Sequence, residues 1–158
     1  MASRNLTARP LSTARILLVD DNANGLSARK SVLEELGHRI STASSGSEAL
    51  DHFAAHKFDV VVTDYKMPRM DGKELIHRLR KVEPEVAVIM MSGYSDTLGL
   101  DEKSTGADVV LQKSANEVSH LVRAVNRLLK NKPSKQAAKK PAAAAATAAH
   151  GNAARAKH

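Results

Sequence analysis

Residues 59 to 68 read Asp59-Val60-Val61-Val62-Thr63-Asp64-Tyr65-Lys66-Met67-Pro68, an apolar, β-branched run that ends in one carboxylate. Pro68 has no backbone N–H to give a ladder, so the strand stops before it. A short unbroken apolar run is the mark of a strand buried on both faces, as in a parallel sheet. A single Asp is thereby set at the carboxyl end of that strand, where open α/β sheets place their ligands.

Three more strand-like runs end in chemically useful residues. Arg15-Ile16-Leu17-Leu18-Val19 runs into Asp20 and Asp21; Val86-Ala87-Val88-Ile89-Met90-Met91 runs into Ser92; Asp108-Val109-Val110-Leu111-Gln112 runs into Lys113. Ile40 to Ala43 is a weaker fifth run. Helical patterns lie between them. Leu26, Val32, Leu33 and Leu36 form an apolar stripe that Gly37 stops. Residues 48 to 56 suit a short helix, and Leu75, Ile76, Leu79 and Val82 follow an Asp71-Gly72 turn. Val118, Leu121, Val122, Val125, Leu128 and Leu129 keep the i, i+3, i+4, i+7 spacing. A fourth helix is expected over residues 96 to 105. Its stripe is poor, because Leu98 and Leu100 flank Gly99. Strands alternating with helices predict an α/β domain, a parallel sheet covered on both faces.

Each site residue has a bland reading when taken alone. Asp20 or Asp21 could cap a helix, Asp64 could serve a turn, Ser92-Gly93 is a turn pair, and Lys113 is a solvated strand end. Turn and cap chemistry gives no reason for acids on two strands with Ser and Lys on two others. The convergence of all of them at strand ends points to a magnesium-dependent phosphoacceptor site.

The same residues resemble a known family. Asp20-Asp21, Asp64-Tyr65-Lys66-Met67-Pro68, Asp71-Gly72, Ser92-Gly93 and Lys113 occur in the order and near the spacing of a response-regulator receiver domain, in its chemotaxis-regulator-like single-domain form. The resemblance runs over residues 15 to 130. It implies a flavodoxin-like (βα)5 doubly wound sheet of strand order 2-1-3-4-5, with the site at the switch point between strands one and three. It also implies a partner, a histidine kinase or a histidine phosphotransfer protein.

The chemistry is consistent with that expectation. An aspartyl nucleophile must approach a phosphoryl group that is already negative. Two unit charges about 4 Å apart repel by roughly 4 kcal/mol at an effective dielectric of about 20, so cations are required. Asp21 and Asp64, with Asp20 acting through water, suit Mg²⁺, which takes oxygen ligands. The resemblance adds the backbone carbonyl of Lys66 as a ligand. Lys113 supplies a second cation, and Ser92 a hydroxyl that binds the phosphoryl group in the family. Asp64 is the expected phosphoacceptor. Lys66 and Tyr94 sit where the family's hydrolytic water passes, and a cation and ring there would lengthen the life of the acyl phosphate. The family's strand-five aromatic is replaced here by Val110, so the usual ring-swing cannot carry the signal in that form. No Ser-His-Asp set, zinc spacing or phosphate-binding loop marks a turnover enzyme.

The ends have another character. Residues 14 to 131 carry 16 Lys and Arg against all 17 Asp and Glu, while the remaining eight basic residues lie outside and bring the chain to +7. The expected organisation is a leader over residues 1 to 13, a receiver over 14 to 131, and a disordered basic tail over 132 to 158. That tail has no side chain able to build a core. Six basic residues and no acids allow weak, salt-sensitive, non-specific nucleic acid contact. A regulator with the tail as output, and a docking module that is never phosphorylated, are the alternatives to a phosphorylated receiver signalling by protein contact. No apolar run reaches membrane-spanning length, and a chain without cysteine suits the cytoplasm. The histidines at 38, 52, 56, 77 and 120 lack metal-ligand spacing.

Overall fold

The β-branched runs become five strands: β1 (Arg15–Val19), β2 (Arg39–Ala43), β3 (Val60–Asp64), β4 (Ala87–Ser92) and β5 (Val109–Gln112). The structure is a computed structural model that describes residues 13–93 and 99–131. All pairings are parallel, and the order across the sheet is β2-β1-β3-β4-β5. The flavodoxin-like expectation is therefore met. Between the strands lie α1 (Ala23–Glu35), α2 (Gly46–Ala55), α3 (Gly72–Val82) and α4 (Glu102–Thr105), and α5 (Glu117–Asn131) follows β5.

Every residue of β3 and β4 is buried, which explains why both read as continuous apolar runs. Leu17, Val19, Val61, Val88 and Met90 pack with Phe53 of α2 and with Leu75, Ile76 and Leu79 of α3. The intervening Ile16, Leu18, Val60, Val62 and Ile89 are equally buried, so the opposite face is covered as well.

The helix starts are built by short polar side chains. Asn22 accepts from the Gly25 N–H, Ser45 from Glu48 and Asp71 from Glu74, each satisfying one orphan donor of a first turn. Gly72 has a second duty. A Cβ there would stand 2.4 Å from the Asp64 carbonyl oxygen, so only glycine lets α3 begin against the end of β3. The Gly72 N–H donates to the Tyr65 carbonyl at 2.8 Å, closing the loop that follows Asp64.

Three expectations are corrected or limited. Val82, the last residue of α3, stays 64% exposed, so the packed stripe ends at Leu79. Of the helix expected over 96 to 105, only Glu102–Thr105 is helical among the described residues. Gly99 takes φ +67, and Asp101 is an extended N-cap whose carboxylate accepts from the Ser104 N–H at 2.8 Å. That cap restarts the chain and prevents a longer helix. Expectations for residues 1–12, for Tyr94 and for the tail 132–158 lie outside the described residues.

Candidate functional site

Because all strands run the same way, their carboxyl ends share one edge of the sheet. Asp64 closes β3 opposite Met91 of β4, and Ser92 closes β4 opposite Gln112 of β5. Asp20 follows β1, held by its own N–H donating to the Ala43 carbonyl at 3.1 Å. Lys113 follows β5, its N–H donating to the Ser92 carbonyl at 3.1 Å. Sheet order alone thus gathers residues up to 93 positions apart.

Several of these side chains meet at this edge. Lys113 Nζ lies 2.8 Å from Asp64 Oδ1 and 3.6 Å from Asp20 Oδ2. Asp20, Asp21 and Asp64 each present a carboxylate oxygen, all within 4.8 Å of one another. Asp20 and Asp64 are buried and Asp21 is exposed, so the cluster opens to solvent on the Asp21 side. Three converging carboxylate oxygens with one open side suit a hard divalent cation. Ser92 is buried. The Lys66 side chain is exposed, and Val110 is partly buried against the core cluster.

Sequence reasoning missed Arg29. This side chain, 4% exposed, sits on the buried face of α1 between Leu26 and Leu33. Its Nη1 donates to Asp20 Oδ2 at 2.9 Å, while Nη2 and Nε donate to Glu117 Oε2 at 3.0 and 3.3 Å. Asp20 Oδ1 accepts from the Asn22 N–H at 3.0 Å, so this carboxylate is held on both oxygens. The available signal was position. Arg29 stands three residues after Leu26 and four before Leu33, on the stripe where an aliphatic residue was due.

The charges explain the titration tendencies. Three carboxylates in the pocket face two cations, Lys113 and Arg29. Burial pushes the Asp64 carboxyl above its ordinary value, and the Lys113 hydrogen bond pulls it back only in part. Burial would lower the Lys113 value, but its hydrogen bond and the charges of Asp64 and Asp20 outweigh that and hold the ammonium. Arg29 behaves alike: burial is outweighed by Asp20 and Glu117, and the guanidinium stays charged. All three directions follow from buried groups with negative charge in excess.

Residues 16–126 match the response regulator receiver domain family. The chain belongs to the response-regulator receiver family. This receiver is 33% identical over 138 residues to a gliding motility regulatory protein of Myxococcus xanthus, a match that takes in 81% of the chain. It spans only 18% of that relative's length. Among solved structures it resembles a receiver domain protein from Clostridium thermocellum (34% identity, TM-score 0.67, covering 75% of this chain and 96% of that one). It also resembles the response regulator protein TrrA from Thermotoga maritima, solved in complex with Mg(2+)-BeF (36% identity, TM-score 0.62, 70% and 96% covered). Receivers are signalling modules of two-component systems, so the expectation drawn from the strand-end residues is met at the level of family and fold. No helix among the described residues is long and apolar enough to cross a membrane.

Proposed function

We propose that the receiver, over residues 14 to 131, accepts a phosphoryl group on Asp64 from a histidine kinase or a histidine phosphotransfer protein and signals by protein contact. The observation that carries this reading is the Asp64 carboxylate, 2.8 Å from the Lys113 ammonium at a strand end, with Asp20 and Asp21 beside it.

An Asp64 oxygen attacks the phosphorus, the bond from phosphorus to the donor nitrogen or oxygen breaks, and an acyl phosphate remains on the carboxylate. Asp21, Asp64, the Lys66 carbonyl and, through water, Asp20 are the groups that would hold Mg²⁺, which would supply positive charge next to the incoming group. Lys113 first holds the Asp64 carboxylate in place and then neutralises a phosphoryl oxygen. Ser92 supplies a hydroxyl to the product from the end of β4. Positioning and charge neutralisation are the whole of the catalysis, as is usual in phosphoryl transfer. Lys66 and Tyr94 shield the acyl phosphate from water. The chain works in the cytoplasm, and the six basic residues of 132 to 158 allow, without requiring, a weak and non-specific contact with nucleic acid.

Intact mass after incubation with acetyl phosphate tests the reading. One added phosphoryl group is expected, requiring both Mg²⁺ and Asp64, and Asp64→Asn should take up none. Unchanged wild-type mass, under conditions that modify a control receiver, would leave the docking-module alternative in its place.

A further inference from the structure

The guanidinium of Arg29 is shared between a residue of the acid pocket and a residue of α5 that the proposed phosphoryl chemistry does not use. Its Nη1 reaches Asp20 Oδ2 at 2.9 Å, and its Nη2 and Nε reach Glu117 Oε2 at 3.0 and 3.3 Å. Glu117 is the first residue of α5, after the Lys113 strand end. An aliphatic side chain at position 29 would complete the α1 stripe without the cost of desolvating a charge. The guanidinium therefore has its physical justification in the two carboxylates it joins.

Asp20 Oδ2 is also the oxygen that Lys113 approaches at 3.6 Å, and Asp20 Oδ1 is taken by the Asn22 N–H. A cation arriving among Asp20, Asp21 and Asp64 must share the charge of Asp20 with Arg29. How strongly Arg29 competes depends on Glu117, which draws on the other edge of the same planar fork.

We propose that Arg29 is a positioning residue that couples the cation site at Asp20 to Glu117 at the start of α5. The inference rests on the reading of the pocket as a divalent-cation site. Its consequence is reciprocal. A cation bound beside Asp20 loosens the Asp20–Arg29 bond and strengthens Arg29–Glu117, and any change at Glu117 alters cation affinity by the same factor. Val110 provides no ring to relay the state of the pocket along β5, and this bridge offers α5 a route that needs none.

A thermodynamic cycle read by calorimetric titration of the full chain with MgCl₂ tests it, using wild type, Glu117→Gln, Arg29→Lys and the double variant. Glu117→Gln should weaken Mg²⁺ binding about fivefold, at the low end of ordinary coupling. The same change in the Arg29→Lys background should fall below about twofold, because a single ammonium cannot span both carboxylates. Equal factors in the two backgrounds, or no effect of Glu117→Gln, would overturn the inference. If Arg29→Lys does not fold, Glu117→Asp decides. It keeps the charge but withdraws it from the guanidinium, so it should weaken binding as Glu117→Gln does, and wild-type affinity would overturn the proposal. A wild type that neither binds Mg²⁺ nor takes a phosphoryl group defeats the site reading itself. Normal binding and phosphorylation with an additive cycle defeat only the coupling.

Discussion

On the β1–β3 side of the carboxyl edge, Asp20, Arg29 and Asp64 are buried and tied by charge-assisted bonds, and α3 backs them with Leu75, Ile76 and Leu79 in the core. On the β4–β5 side, α4 is four residues long and buries only Thr105. It is held there by its own capping box and by a Thr105 hydroxyl that donates to the Asp101 carbonyl at 2.7 Å. Lys113 crosses from the second region to the first. Asp20, Arg29 and Asp64 stand on the well-packed side, while α4 contributes only Thr105 to the buried residues. A shift of α4 is therefore cheap, and it leaves the acids where they are.

The largest effect should come from weakening the backed side. Leu79→Ala removes a fully buried side chain of α3 and should cost about 2–5 kcal/mol in denaturant unfolding. On the other side, Thr105→Val keeps the shape of the residue but loses the bond to Asp101 and the one from the Ala107 N–H at 3.2 Å. Its cost should be about 1–2 kcal/mol, for the two neutral hydrogen bonds together. Equal losses for the two variants would erase the contrast between the regions.

A smaller effect separates the carboxyl edge from the amino edge. His38, buried just before β2, accepts the Ala14 N–H on Nδ1 at 3.1 Å, and its Nε2 is buried without a hydrogen-bond partner. Burial lowers its pKa below the ordinary 6.5, against a pull in the other direction from Asp59. The folded chain thus prefers the neutral ring. That stability is complete above the unfolded value, declines as pH falls through it, and levels off below the lower folded value. Urea midpoints measured between about pH 8 and about pH 5 should fall more for wild type than for His38→Gln. If both fall equally, the mild-acid sensitivity belongs to the carboxyl edge instead.

Much of this was legible from the chain itself. Asp20, Asp21, Asp64 and Lys113 could be found because each ends an apolar run, and a strand end is a fixed place in a parallel sheet. Arg29 and Glu117 were passed over, because charged residues on helices are ordinarily read as solvated faces, although the place of Arg29 on the α1 stripe was a signal. The limit of α4 at Asp101 was hidden for a related reason. Gly99 reads as poor helix propensity, whereas its positive φ and the extended Asp101 cap are visible only in the folded backbone.

The sequence by itself determined the periods: which runs are strands, which stripes are helices, and which groups stand at the ends. Only the tertiary structure decided the partners. Asp20 and Arg29 are far along the chain from Lys113 and Glu117, and the two pairs meet because the order β2-β1-β3-β4-β5 sets β1 beside β3 while α1 and α5 dock close enough for one guanidinium to touch both carboxylates. A linear pattern carries spacing and polarity, but the distance between two charges is fixed only once the sheet and its helices have packed.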